Sequence, residues 1–261
     1  LAFFDGLEQA LRDNSLAALL PRMHGDIAGL RIVKDPAEIE LMKHAQSITD
    51  KAFLHICEYI KPGLTEQQIR AELENYMLSN GADALSFDSI IASGPNGANP
   101  HAQPGERVVQ TGDMIVMDYG AGYLDYHSDM TRTVVVGAPS EEQQHVFDVV
   151  RKANETCAAA IHAGVTGSDI HNLAVKVISE AGYGEYFGHG LGHGVGVEIH
   201  ERPFFNPRWN KVIAAGSVVT DEPGIYLPGK FGIRLEDFGV VTEDGYDVFT
   251  QSTHDLVSVG C

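Results

Sequence analysis

A chain of 261 residues can bury a full core, as one large domain or two small ones. Its formal net charge of −18, from 36 acidic against 18 basic residues, argues against nucleic-acid binding, which needs a basic footprint, and fits a solvated acidic surface. No apolar run approaches the roughly 18 residues of a membrane span, and Cys57, Cys157 and Cys261 are too widely spaced for a disulfide framework or a zinc knuckle.

Reduced thiols in the cytoplasm are therefore expected, with no membrane contact and no visible leader peptide. The chain starts at Leu1 rather than Met, so a preceding part is expected to have been removed. Residues 1–30 read as a weakly patterned helical lead-in. Asp35-Pro36-Ala37-Glu38 is a strong helix start, with a capping Asp, Pro in the first turn and Glu three after the cap, and the helix should run to about Ile60. Pro62-Gly63 ends it, and Thr65 with Gln68 opens a second helix to about Ser79. Asp113 to Tyr119 and Thr131 to Val136 read as strands. Ser140 with Gln143 opens a helix to about Ala163, and another should run from about Ser168 to Ala181. Strands return at Ser217 to Thr220, Ile233 to Thr242 and Tyr246 to Phe249.

The order of two helices then strands occurs twice, and the repeat is visible in the residues. Ile60, Gly63, Thr65 and Ile69 match Ile161, Gly164, Thr166 and Ile170 in spacing, and Gly81 matches Gly182. His101-x-x-Pro104 has a counterpart in His200-x-x-Pro203, and Gly112 to Gly120 one in Gly216 to Gly224. An internal duplication around a pseudo-twofold axis follows, bringing Asp118 near Glu222 and one histidine of each half to one pocket. The same order of elements implies an α+β domain, with helices covering one side of a curved antiparallel sheet.

Asp118, Asp129, His193, Glu222 and Glu236 are spaced as metal-type ligands, each in a short motif. Asp118 closes the apolar run Met114 to Met117, and a turn at about Ala121-Gly122 should join its strand to that of Asp129. A carboxylate there is costly to bury unless paired or metal-bound; the alternative is a strand-end turn former. The hydroxyls around Asp129, Thr131 among them, and Arg132 can fix a carboxylate from behind. Gly188 to Gly196 has glycine at every second position around His189 and His193. It fits no phosphate-loop register, and reads as bare backbone that lets other groups approach closely. Alternation puts Arg234 and Glu236 on one face, either as a salt bridge or as an arginine that keeps a metal carboxylate ionised. Four carboxylates and one imidazole at one point would repel each other when empty and suit Mn, Co, Fe or Zn, with a metal-activated water and hydrolysis as the chemistry. The competing Ser/His/Asp mechanism finds no G-x-S-x-G elbow.

At these motifs, from about residue 30 to the C-terminus, the chain resembles the pita-bread metallopeptidases, specifically the Xaa-Pro aminopeptidase and Xaa-Pro dipeptidase (prolidase) group. The resemblance implies an α+β pita-bread fold of two pseudo-symmetric halves. It makes residues 31–261 the catalytic domain, and residues 1–30 a remnant of linker from an absent N-terminal domain of the creatinase type. It implies that Asp118, Asp129, His193, Glu222 and Glu236 bind two divalent ions, manganese first with cobalt, zinc or iron as alternatives, Asp129 and Glu236 bridging. A metal-bridging hydroxide would attack the carbonyl before proline, with Glu236 taking its proton, His200 stabilising the oxyanion and His101 assisting at the proline nitrogen. His189, Arg234, Tyr226 and Thr131 would contact substrate or support the ligands. The partners implied are peptides with proline in second place, and a homodimer is the assembly to test. Methionine aminopeptidases share the fold and the ligands but usually lack a histidine at the place of His189 and the E-P-G-I-Y and G-I-R-L-E-D forms. A non-catalytic peptide-binding module is the other alternative, against which the intact ligand set argues. Asp221 departs from the apolar residue usual beside Glu222.

Overall fold

The computed structural model describes residues 2–14 and 28–260. Contacts divide the chain into two compact units, Leu1–Arg31 and Ile32–Cys261. The first contains helix α1 (Ala2–Asp13); the rest of the helical lead-in expected over residues 1–30 lies largely outside the described residues. Among the described residues no helix is long and apolar enough to cross a membrane.

In the second unit the capped starts form as their sequences dictate. Helix α2 (Pro36–Tyr59) begins with a capping box: Asp35 accepts from the amides of Ala37 and Glu38 at 2.8 and 2.9 Å, and Glu38 accepts from the Asp35 amide at 2.7 Å. Helix α3 (Glu66–Ser79) is capped the same way by Thr65 and Gln68. Strands β1 (Ala84–Leu85), β2 (Ile90–Ser93), β3 (Met114–Tyr119), β4 (Ala121–Tyr123), β5 (Tyr126–His127) and β6 (Met130–Val136) complete the first half. Ala121 and Gly122 therefore lie within a strand. The turn expected there falls at Leu124 and Asp125, both at positive φ (48° and 66°).

Helices α4 (Glu141–Ala158) and α5 (Gly167–Glu180) open the second half, followed by β7 (Gly192–Gly194), β8 (Glu201–Phe205), β9 (Val218–Asp221), β10 (Gly224–Leu227), β11 (Phe231–Arg234), β12 (Asp237–Val241), β13 (Tyr246–Val248) and β14 (Val257–Val259). Helix α4 stops short of Ala163. Gly164, at φ +98°, turns the chain away, and Ala163 and Gly164 donate instead to the carbonyls of Thr242 and Ile213 at 2.9 and 3.0 Å. The run Ile233 to Thr242 is also broken. Its first part pairs with β10 and its second with β9, leaving Leu235 and Glu236 between.

One sheet runs β14-β6-β3-β2 and another β13-β12-β9-β7-β8. The central triplets β6-β3-β2 and β12-β9-β7 correspond, which is the duplication read from the sequence. Pairing is antiparallel except between β14 and β6, which run parallel. Each half has its own core. Ile48, Ile56, Ile69 and Leu73 of α2 and α3 pack on the first sheet, and Phe147, Val150, Ile170 and Ile178 of α4 and α5 on the second. Burial of this apolar area, at about 25 cal/mol per Å², is the main force holding the halves.

Candidate metal centre

Four of the five ligand-type residues sit near strand ends or in strand breaks. Asp118 lies in β3 opposite Thr131 of β6, and Asp129 immediately precedes β6. Glu222 follows β9, its amide bonded to the Leu191 carbonyl at 2.8 Å, and Glu236 precedes β12, its amide bonded to the Thr131 carbonyl at 3.1 Å. His193 is the middle residue of β7. Its flanking glycines are required for packing: a Cβ at Gly192 would strike the Thr220 carbonyl, one at Gly194 the Arg202 carbonyl, and one at Gly196 the Glu201 carboxylate. Gly188 has open space around it, so close approach does not explain every glycine of that run.

Asp129, His193 and Glu236 each offer a ligand atom within 4.8 Å of the others. Asp118 and Glu222 line the same cavity, of about 870 Å³, with Glu222 Oε1 3.6 Å and Asp129 Oδ2 3.5 Å from His193 Nε2. The His193 ring polarity follows from its other nitrogen. Nδ1 lies 3.1 Å from the Gly194 carbonyl, which only accepts, so Nδ1 carries the proton. Burial, with His200 adding to it, lowers the His193 pKa to about 3, so the ring is neutral. The Nε2 lone pair therefore faces two carboxyl groups and carries no proton of its own. That arrangement is repulsive alone and suits a cation. Asp118 Oδ1, buried without a hydrogen-bond partner, is a further free donor atom.

The carboxyl groups are shifted by burial first and by one another next. Burial raises Glu236 to about 8, with Asp118 adding to the rise. Burial and then Glu236 push Asp129 and Glu222 well above the usual carboxylate range. Arg234 opposes this. Its guanidinium donates to Asp118 Oδ2, to Thr131 Oγ1 at 2.9 Å and to the Tyr226 hydroxyl at 2.9 Å. Because Arg234 Nε donates to Thr131, the Thr131 hydroxyl proton is free to go to Glu236 Oε2, 2.7 Å away. Arg234 thus makes its salt bridge with Asp118 rather than Glu236, while its charge still favours the ionised form of Glu236, as expected of an arginine beside a metal carboxylate. A second chain is polarised likewise. His189 Nδ1 donates to the Gly190 carbonyl at 2.7 Å, and burial lowers its pKa to about 4. Its Nε2 therefore accepts from the Tyr226 hydroxyl at 2.9 Å.

His101 and His200, one from each half, line the cavity, and the rings of His200 and His193 are 4.4 Å apart. All the residues singled out in the sequence are thus gathered at one place or directly behind it. Sequence reasoning passed over Phe187 and Phe204, which line the cavity with apolar surface and carry no pattern that distinguishes them from core aromatics. Asp221 is fully buried, neither carboxylate oxygen has a hydrogen-bond partner, and burial, with Asp237 next, raises its pKa well above the usual range.

The comparisons agree with this geometry. The profile of metallopeptidase family M24 matches residues 40–243. A Xaa-Pro dipeptidase of Pyrococcus furiosus is 42 % identical over 88 % of this chain and 66 % of its own length. Two solved structures superpose on it. A Xaa-Pro dipeptidase from Bacillus anthracis has a TM-score of 0.93 at 41 % identity, over 96 % of this chain and 71 % of that one. An X-Pro aminopeptidase from Thermotoga maritima has a TM-score of 0.89 at 38 % identity, over 98 % and 80 %. The fold is the α+β pita-bread fold, and the chain belongs to metallopeptidase family M24. It spans 65 and 66 % of the length of the first two curated relatives it matches. The family is one of metallopeptidases, and the donor set fits divalent cations.

Proposed function

We propose that residues 31–261 are the catalytic domain of a peptidase that hydrolyses the bond between an N-terminal residue and a following proline. The observation that carries this reading is the meeting of Asp129, His193 and Glu236 within 4.8 Å, in a cavity also lined by Asp118 and Glu222. The proline preference is supported by relatives that are themselves named Xaa-Pro dipeptidase or X-Pro aminopeptidase. Asp118, Asp129, His193, Glu222 and Glu236 would hold two divalent ions, manganese first and cobalt, zinc or iron as alternatives. When bound, the ions supply Lewis acidity and a water that deprotonates near neutral pH.

The chain's own groups then have distinct tasks. Glu236 takes the proton of the attacking water on a carboxylate whose Oε2 is held by Thr131. His200 donates to the oxyanion that develops at the carbonyl before proline, and His101 supplies a proton at the proline nitrogen. The substrate's amine lies on the side of Asp118, which limits cleavage to the first bond. Arg234 and Tyr226 hold Asp118 and His189 in place. Phe187 and Phe204 give the proline ring apolar surface. Two free thiols, Cys57 and Cys157, support placing the protein in the reducing cytoplasm.

The test is a panel of Xaa-Pro dipeptides, Xaa-Pro-Yaa tripeptides and Met-Ala, with manganese-loaded protein. Release of the first residue from either proline series, and not from Met-Ala, is the expected result. Cleavage of Met-Ala alone would replace the reading with a methionine aminopeptidase, and metal binding without turnover would favour a peptide-binding module.

A further inference from the structure

Glu66, the first residue of α3, is fully buried and lies outside the metal centre. Its Oε1 accepts from the amide and the hydroxyl of Ser93, both at 2.7 Å, and from Asn96 Nδ2 at 3.1 Å. Its Oε2 accepts from the Gly105 amide at 3.0 Å and from Asn96 Nδ2 at 3.2 Å. Ser93 ends β2, Asn96 lies in the 3-10 turn Gly94–Ala98, and Gly105 comes after it. The segment spanned by the two oxygens is the one that carries His101. Within that segment the ties are local or long: the His101 amide donates to Asn99 Oδ1 at 3.1 Å, and the Pro100 carbonyl accepts from Arg234 at 3.4 Å. Arg107 reinforces the near end through Ser93 Oγ at 2.6 Å and is itself held by Asp113.

We infer that Glu66 is a positioning residue, whose two carboxylate oxygens hold the two ends of the loop that presents His101 to the cavity. The inference rests on the role given to His101 under the proposed function. The second half supplies an internal control. The residue equivalent to Glu66 is Gly167, after the matching cap Thr166, and its place is filled by the Phe204 carbonyl and the Trp209 ring. A buried acid is therefore no requirement of this helix start: His200, the counterpart of His101, directly precedes β8, which is paired with β7, whereas His101 lies in a loop outside any strand. Each group facing the Glu66 oxygens is a donor, so the isosteric amide would set an NH2 against donors at one end or the other.

The experiment is Glu66→Gln in the metal-loaded protein, alone and with His101→Ala. Amide hydrogen exchange at Ser93 and Gly105 reads the clamp without reference to activity, and should quicken about tenfold or more at one end or both. On a Xaa-Pro substrate kcat should fall on the order of 10- to 100-fold, with KM within about twofold and metal content unaltered. In the His101→Ala background the same substitution should add less than about a twofold loss, since the group it positions is gone. Glu66→Asp, which keeps the charge but is too short to span both ends, should act in the same direction if the amide variant fails to fold. Unaltered exchange at both amides, or losses that multiply fully in the double variant, would overturn the inference. If His101→Ala alone leaves kcat intact, the role of His101 fails and the catalytic consequence of the clamp fails with it.

Discussion

In the first half of the unit Ile32–Cys261 the Gly63 amide donates to Val109 and the Val109 amide to Leu64, at 3.0 and 2.8 Å; in the second, Gly164 donates to Ile213 and Ile213 to Val165, also at 3.0 and 2.8 Å. Gly63 and Gly164 have φ of +97° and +98°, and Gly112 and Gly216 turn at +90° and +83°. The side chains set on this shared frame differ. Asp118 is matched by Glu222 and Asp129 by Glu236, so each half brings one carboxylate at a strand end and one just before the next strand. Glu66 is matched by Gly167, and Met117, an apolar core residue, by Asp221. His193 has no imidazole counterpart on β2, the equivalent strand. Backbone bonds and glycine turns fix the frame, because a turn at positive φ admits few other residues. Side chains that only fill a position are free to diverge, and the site combines two matched pairs of carboxylates with His193, which has no counterpart.

The largest effect expected tests the carboxylate symmetry. Asp129→Ala and Glu236→Ala should each cost at least about 10³-fold in turnover together with bound metal. If one of the two kept its metal and a rate within about tenfold, the equivalence of the two positions would fail. Next come the paired histidines. With metal content unaltered, His200→Ala should lower kcat by about 10²–10³-fold, as for loss of an oxyanion donor. His101→Ala should cost less, and a reversal of that order would exchange their roles.

The pH dependence of metal-free protein comes third. Glu236 is raised to about 8 from an ordinary 4.5, so its contribution to stability is complete below 4.5 and is lost as pH climbs to 8. His193 is lowered to about 3 from 6.5, so its contribution is present above 6.5 and is lost as pH falls. Between pH 6.5 and 8 the histidine is silent and Glu236 acts, in the same direction as the raised Asp129, Glu222 and Asp221. The Tm of metal-free protein should fall across that window, with at most about 2 kcal/mol from Glu236. Added divalent metal should remove the slope, because it binds the ionised carboxylates. A flat profile without metal would contradict the raised carboxyl pKa values that burial and crowding together produce.

The smallest effect concerns Asp221. A buried carboxyl with no hydrogen-bond partner costs about 1–3 kcal/mol, so Asp221→Val should raise the Tm and bring the position closer to its counterpart Met117. A lower Tm would mean that Asp221 has a role the duplicated frame does not reveal.

Features that depend on neighbours in the chain were legible in the sequence. The capping residues of α2, α3 and α4 mark true helix starts, because a cap bonds amides two or three residues away. The glycine and threonine spacings revealed the duplication, and the acids closing apolar runs marked the site. Features set by distant partners were not legible. Arg234 reaches Asp118 rather than Glu236 because the strand breaks after Arg234, and alternation does not carry across a break. The end of α4 is decided by bonds to Thr242 and Ile213, far along the chain. Glu66 reads in the sequence as an ordinary acid in the first turn of a helix, and its partners are 27 to 39 residues away.

The most direct test of the metal centre is a titration of metal-free protein with manganese near neutral pH, following bound ions per chain and release of the first residue from a Xaa-Pro substrate in the same samples. The account predicts that activity is absent at the start, rises with occupancy and levels off at about two ions per chain, with both signals lost in Glu236→Ala. Full activity in the metal-free protein, or no ion bound at saturating manganese, would contradict it.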